Sequence, residues 1–325
     1  MRKYTKRLLC FLLFAILGLT SCGGGIGSAG NETVLKIDGE NITRSEYMVY
    51  LYTATQNFLS AAGEDVWNMD FDGQTADELL EERTISTLQS VIAAKAYAAE
   101  NGIALTEEQK AESKTAAEDF IAGVSPEDLE KIGIDAEGMA PLMETSFLYS
   151  LVYETIAAEC EVEPEEMERY YEENREQLRA EYTTLRLNSI LLDSAERAEE
   201  AAARARAGED FNALFAEYDV DDTAKDKENG GEITLDQGYL RTVFDVREDW
   251  EVGNIVGPIP INGRFFVFEV LERNVPSDET VKAVAEQVYR DAVRAEYVEN
   301  AMNQAAALQT VEKVEGVWDS LEKFH

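Results

Sequence analysis

Tyr182-Thr183-Thr184-Leu185-Arg186-Leu187-Asn188-Ser189-Ile190-Leu191-Leu192 is the stretch at which the character of the chain changes. Its side chains alternate between apolar and polar, the period-two signature of a strand with one face on a core. Asp193 and Glu196 then supply the start signal of a helix that Gly208 would stop. A short helix carries Phe211, Leu214 and Phe215, and an acidic loop runs from Asp219 to Gly231. Further on, Gly257-Pro258-Ile259-Pro260-Ile261 and Arg264-Phe265-Phe266-Val267-Phe268-Glu269-Val270 flank Asn262-Gly263, and that dipeptide between apolar runs is a strong hairpin signal. The pattern predicts a sheet-based domain over residues 181–275.

The flanks read differently. Val34-Leu35-Lys36-Ile37-Asp38-Gly39-Glu40-Asn41-Ile42 is a short strand with an Asp-Gly turn. Thr43 with Glu46 then opens a helix, and the same start signal recurs at Thr75 with Glu78, Thr106 with Gln109 and Ser125 with Asp128. Helices therefore fill most of residues 33–180, with Asn101-Gly102 ending one and Pro164 placed where a first turn accepts it. In residues 276–325 a helix runs to about Leu308, and Val311 to Trp318 reads as a strand.

Composition excludes several classes of function. Among 325 residues, 65 Asp and Glu stand against 29 Lys and Arg, a formal charge of −36. Nucleic acid is not a partner of such a chain, because a phosphate backbone is bound by clustered Lys and Arg. With 45% hydrophobic and 9% aromatic residues, a core can form. His325 is the only histidine, so a Ser-His-Asp or Cys-His nucleophile or a His-ligated zinc has nothing to be built on inside the chain. Cysteine occurs only as Cys10, Cys22 and Cys160, with no disulfide framework and no CxxC pair. Cys160 follows an Ala-rich helical stretch and reads as an inert buried thiol rather than a reactive one.

The beginning of the sequence reads as a leader. Arg2, Lys3, Lys6 and Arg7 precede the apolar run from Leu8 to Leu19, which is shorter than the roughly 20 residues that span a bilayer. That is the form of a secretory signal peptide, residues 1–21. Leu19-Thr20-Ser21-Cys22 looks like a bacterial lipobox, which would make Cys22 the lipidated first residue of the mature chain. The alternative is an ordinary secretory signal with an incidental cysteine. Residues 22–32 include a Gly-rich tether, so the expected place is the outer, extracytoplasmic face of a bacterial cell membrane.

The order of elements from 182 to 273 resembles the parvulin family of peptidyl-prolyl isomerases, and the mature chain resembles extracytoplasmic foldases of the PrsA and SurA type. Asn188-Ser189-Ile190-Leu191 stands where the family opens with a His-Ile-Leu strand. Gly208-Glu209-Asp210-Phe211, Glu217-Tyr218-Asp219-Val220-Asp221 and Lys227-Glu228-Asn229-Gly230-Gly231-Glu232 match its middle, and Gly253-Asn254-Ile255-Val256-Gly257-Pro258 with the closing hairpin completes the order. Val34 to Tyr47 is similar to the opening of the same foldases. The resemblance implies an α+β fold: a helical chaperone domain made from both chain ends, with a small antiparallel sheet flanked by helices inserted into it.

It also implies a site, with departures. Parvulins carry two facing histidines, and those positions here hold Ser189 and Phe266. Asp221 falls at the family's Cys or Asp position and is the candidate catalytic residue. Ile233, Leu240 and Phe244, with Phe266 at the lost histidine, fall on the apolar wall of the proline pocket, or else they are plain core residues. Isomerisation of an X-Pro bond crosses a barrier of about 18–20 kcal/mol without breaking a bond, so neither nucleophile nor cofactor is required. An apolar cavity would favour the twisted, less dipolar transition state. Without the histidines, weak or absent isomerase activity is expected.

Other chemistries are less well supported. The acidic loop fails the EF-hand test, with Thr223 and Ala224 where an oxygen ligand and Gly are needed, so no metal is expected. No spacing singles out a glycosidase pair of carboxylates. The expected partners are unfolded or proline-containing exported polypeptides. The alternative is a non-catalytic scaffold that holds one specific partner through a degenerate parvulin module, and a homodimer through the helical domain stays open.

Overall fold

The computed structural model describes residues 28–221, 231–244 and 250–325. It divides into two compact units, one of residues up to 161 together with 292–325, the other of residues 162–291. The fold is α+β, with both chain ends in the first unit and the second inserted between them. The second unit is wider than the 181–275 stretch marked by the sheet pattern. Cys22, the leader and most of the acidic loop lie outside the described residues.

In the first unit β1 (Thr33–Ile37) and β2 (Glu40–Thr43) form an antiparallel hairpin, and β9 (Val311–Lys313) pairs with the other edge of β1, Leu35 opposite Lys313 and Ile37 opposite Val311. Val311–Trp318, expected as one strand, is strand only to Lys313. The chain then turns into α11 (Glu315–Trp318), which sets the Trp318 ring edge-on to Tyr47 at 4.9 Å.

The helices of this unit begin where the sequence marks them. Thr43, Thr75, Thr106 and Ser125 accept hydrogen bonds from Glu46, Glu78, Gln109 and Asp128 backbone N–H groups at the starts of α1 (Arg44–Ala62), α2 (Ala76–Asn101), α3 (Glu107–Gly123) and α4 (Pro126–Ile132). At Thr75 and Thr106 the reciprocal capping box is complete, so two first-turn donors are satisfied at each. A 3-10 turn (Glu64–Asn68) and the two-residue strands β3 (Asp70–Phe71) and β4 (Gln74–Thr75) link α1 to α2. The main core gathers Val34, Leu35, Ile37, Tyr47, Met48, Leu88, Ile132 and Met139, the last from α5 (Ala136–Ala158). A second cluster packs Val152 and Ile156 with Val298 and Met302 from the later part of α10 (Asp278–Ala306).

Gly30, in the 3-10 turn Ser28–Asn31, is pressed against α1, where a Cβ would stand 2.2 Å from Ser45 Oγ and 2.6 Å from the Gly133 carbonyl. Cys160 is half-buried rather than buried, with Sγ 4.0 Å from the Val293 carbonyl. Among the described residues no helix is long and apolar enough to cross a membrane.

In the second unit β5 (Thr184–Leu192), β6 (Glu232–Asp236), β7 (Ile255–Ile261) and β8 (Arg264–Asn274) form an antiparallel sheet in the order β6-β5-β8-β7. The β7–β8 turn is Asn262-Gly263 at φ 49° and 76°, the left-handed pair the hairpin signal requires. α7 (Ala195–Arg206) is capped by Ser194, not Asp193. α8 (Phe211–Tyr218) is capped by Asp210, and α9 (Gln237–Val243) follows β6. α6 (Pro164–Glu181) joins this unit by packing Tyr171 and Leu178 on Val281 and Ala285 of α10.

Candidate functional site

Alternation along β5 and β8 splits the sheet into two faces. Ile190, Leu192 and Val267 face α7 and α8, where Ala198, Ala201, Ala202, Phe211 and Leu214 close the layer. Leu185, Leu187, Phe268 and Val270 point the other way and pack with Leu240 and Trp250, and Leu235, Phe244, Ile259 and Phe266 are half-buried around them.

This second face holds the pocket positions. Phe266 and Phe268 lie two residues apart on β8 with rings parallel at 5.7 Å. Phe244 meets both edge-on, at 5.7 and 5.5 Å, and Trp250 lies 5.5 Å from Phe268. Offset-parallel and edge-to-face rings are the favoured arrangements, each adding to what the buried area contributes.

The structure thus brings Leu240, Phe244 and Phe266 into one cluster. Leu240 is fully buried, so it forms the base of that cluster and presents no surface to a ligand. Ile233 is 37% exposed on β6 opposite Leu187, on the same side of the strand as Leu235. Ser189 is buried, opposite Phe268 rather than Phe266, whose partner is Leu191.

Asp221 is half-buried, and its backbone N–H donates to Asp219 Oδ1 at 2.7 Å. Asp219 is the residue the sequence reading passed over. Its carboxylate is buried, and its Oδ2 accepts the Leu191 N–H at 2.7 Å, while the Val220 N–H donates to the Leu191 carbonyl at 2.9 Å. Asp219 thereby straps the end of α8 to β5 and fixes where Asp221 begins. The signal available in the sequence was an Asp directly after a helix, able to accept the N–H two residues on.

Gly231 explains why the motif around it needs a glycine. The Ser189 N–H donates to the Gly231 carbonyl at 3.0 Å, and a Cβ at 231 would stand 2.0 Å from the Ser189 carbonyl oxygen. On the opposite face Arg186 ties three strands together, pairing with Glu232 on β6 and with Glu272 on β8 at 2.5 Å. The hydrogen bond from Arg186 holds the Glu272 carboxyl below its ordinary range.

The unit also carries a polar cleft of about 760 Å³, lined by Asn188, Arg206, Asp210, Asn254 and Glu269 among others. Asn188 Nδ2 donates to Glu269 Oε2 across it at 3.0 Å. Among the described residues no cluster of three His, Cys, Asp or Glu side chains is placed to hold a metal ion.

Comparison with known proteins falls on the same boundaries. Residues 162–286 match the family of PPIC-type PPIASE domains, so the match, like the compact unit, takes in α6 and the start of α10. The foldase protein PrsA of Caldanaerobacter subterraneus subsp. tengcongensis is 26% identical over 227 residues, 68% of this chain and 67% of that protein. The foldase protein PrsA of Halalkalibacterium halodurans is 22% identical over 320 residues, 97% of this chain and 87% of that one. A crystal structure of foldase protein PrsA from Streptococcus pneumoniae aligns with 74% of this chain and 92% of its own at 17% identity and a TM-score of 0.41. The inserted unit matches the PPIC-type domain family and similarity to PrsA proteins runs through both units, which supports a likeness of the chain to the parvulin-type foldases of the PrsA and SurA kind.

Proposed function

We propose that the protein is a membrane-anchored extracytoplasmic foldase whose helical unit binds unfolded exported polypeptides and whose parvulin-type unit binds prolyl segments with weak or no isomerase activity. The observation that carries the second half is the aromatic cluster. Phe266, at a position where the resemblance calls for a histidine, stacks on Phe268 and meets Phe244, so that position contributes apolar surface and no polar group. Ser189 is buried opposite Phe268 and is too short to replace the other imidazole. What remains is an apolar surface made by Phe244 and Phe266 over a buried base of Leu240, with Ile233 exposed on β6, two strands away from β8. Such a surface can grip a proline ring and exclude water from the adjoining carbonyl. Asp221, set by the Asp219 strap, is the carboxylate assigned to that carbonyl.

Anchoring rests on Cys22 in Leu19-Thr20-Ser21-Cys22, behind the basic and apolar leader. A lipidated Cys22 holds the body at the outer surface of the membrane through a short Gly-rich tether.

The test is an isomerase assay by protease coupling or NMR exchange on residues 23–325, over a panel of X-Pro peptides, with Asp221→Ala and Phe244→Ala alongside. Weak acceleration lost in both variants is the expected result. No acceleration with any peptide, together with suppressed aggregation of unrelated unfolded proteins, leaves a chaperone without catalysis. No acceleration together with one saturable partner selects the scaffold.

A further inference from the structure

After α11 the chain has no regular structure, yet residues 317–325 are seated on the main core of the helical unit. Val317, Trp318, Leu321 and Phe324 are each half-buried against it, while Asp319, Ser320, Glu322 and Lys323 are exposed. From Trp318 on, the anchors recur at every third residue. The Trp318 ring meets Tyr47, Phe324 lies edge-on to Tyr52 at 5.2 Å, and the His325 imidazole stacks on the Trp67 indole at 3.8 Å and 14°. Asp77, in the first turn of α2, closes the rim by pairing with Lys323 and by a 2.7 Å contact to His325 Nε2.

Two features set this segment apart from core. None of its anchors is fully buried, and it pairs with no strand, its backbone-to-backbone bonds being only the turn bonds of Asp319, Ser320 and Leu321 back to Glu315, Val317 and Trp318. Beneath it, the Trp67 indole N–H is buried and has no hydrogen-bond partner among the described residues. A buried indole donor normally finds an acceptor, so residues 319–325 fill the groove without satisfying it. A different extended segment could place a backbone carbonyl there.

We propose that the groove formed by Tyr47, Tyr52, Trp67 and Asp77 binds extended segments of unfolded polypeptide that carry an apolar side chain at every third residue beside a basic one, and that residues 319–325 are its displaceable internal occupant. The occupant shows the ligand's chemistry: Leu321 and Phe324 supply the apolar spacing, and Lys323 supplies the charge that Asp77 receives. The carboxylate excess of the chain, −36 overall, favours basic segments over acidic ones. This deepens the foldase reading and rests on it, since it names the place in the helical unit where a client segment lies.

The test uses a variant ending at Trp318 and a fluorescent peptide of sequence 315–325. The expected result is that the shortened protein keeps its helical circular dichroism and binds the peptide at least about 10-fold more tightly than the full chain, as removal of an internal competitor requires. Asp77→Lys in the shortened protein then abolishes binding, and carboxymethylated lactalbumin displaces the peptide. Equal peptide binding by the two proteins, or binding indifferent to Asp77→Lys, overturns the proposal. If the shortened protein loses its helical signal, hydrogen exchange on the full chain decides. Residues 319–325 opening ahead of β1, and faster with carboxymethylated lactalbumin, support the proposal; exchange only with β1 overturns it. Failure of the broader foldase reading would appear separately, as no suppression of aggregation by either protein.

Discussion

The molecule holds two aromatic groups built on different principles. In the parvulin-type unit, Phe266 and Phe268 are spaced by the register of one strand and Phe244 and Trp250 close on them, ring against ring. In the helical unit, Tyr47, Tyr52 and Trp67 are covered by Trp318, Phe324 and His325, from an α11-and-beyond segment held at its rim by charges. The first group is fixed by backbone pairing on β5 and β8. The second is fixed beyond the turn at Leu321 by side-chain contacts, each of which can let go without breaking a ladder. Ring contacts of similar geometry therefore imply a permanent core in one place and an exchangeable contact in the other.

Substitutions can break that distinction. Phe268→Ala removes a fully buried ring and is expected to cost about 3–5 kcal/mol, read as a fall in the urea midpoint of the near-ultraviolet signal. Asp219→Ala leaves the half-buried Leu191 N–H without its acceptor and is expected to cost about 1–2 kcal/mol by the same measurement. It would also lower any isomerase activity that depends on Asp221, whereas a carboxylate role for Asp221 independent of the strap would leave activity unchanged. Phe324→Ala is expected to cost only about 1 kcal/mol, the scale of an aromatic pair at a half-buried site. A loss equal to that of Phe268→Ala would mean that both groups are core.

The smallest effect is expected on acidification. Burial pushes the Asp77 carboxyl up, but hydrogen bonds from Lys323 and His325 outweigh it and hold the group below its ordinary value. Its contribution is therefore complete above the ordinary carboxylate range and is lost as pH falls through the lowered folded value. Burial raises Glu46, against the pull of Lys95, so protonating that residue favours the folded state and opposes the loss. Trp67 fluorescence should change as the pH falls below the ordinary carboxylate range, before the near-ultraviolet signal of the Phe268 cluster does. Simultaneous change would tie the two regions into one transition.

Local chemistry was legible in the sequence at most points where the deciding partner lies within four residues, the cap of α7 at Ser194 rather than Asp193 being the exception. Thr75 with Glu78 and Thr106 with Gln109 close complete capping boxes, and Asn262-Gly263 makes the turn it announces. Features decided by distant partners were not legible. Val311–Trp318 carries apolar side chains that suit a strand, but Tyr47 draws Trp318 out of extended geometry. Asp219 looks like any acidic loop residue until Leu191 is placed beside it, 28 positions away in sequence. Spacing groups Leu240 with Ile233 and Phe244, but spacing along the chain carries no measure of depth, and Leu240 lies fully buried at the base of the cluster that holds Phe244 and Phe266.

The contact at Gly30 sets a length. With its backbone pressed between Ser45 and Gly133, Gly30 is in contact with the helical unit only eight residues beyond Cys22. Fully extended, that connection reaches at most about 26–29 Å. An anchor at Cys22 would therefore confine the docking point at Ser45 to a shell no deeper than a small domain is wide. Were Cys22 so anchored, chains leaving the membrane would meet the protein within that shell, before they diffuse into the bulk, and encounter would be governed by tether length rather than by the protein's abundance.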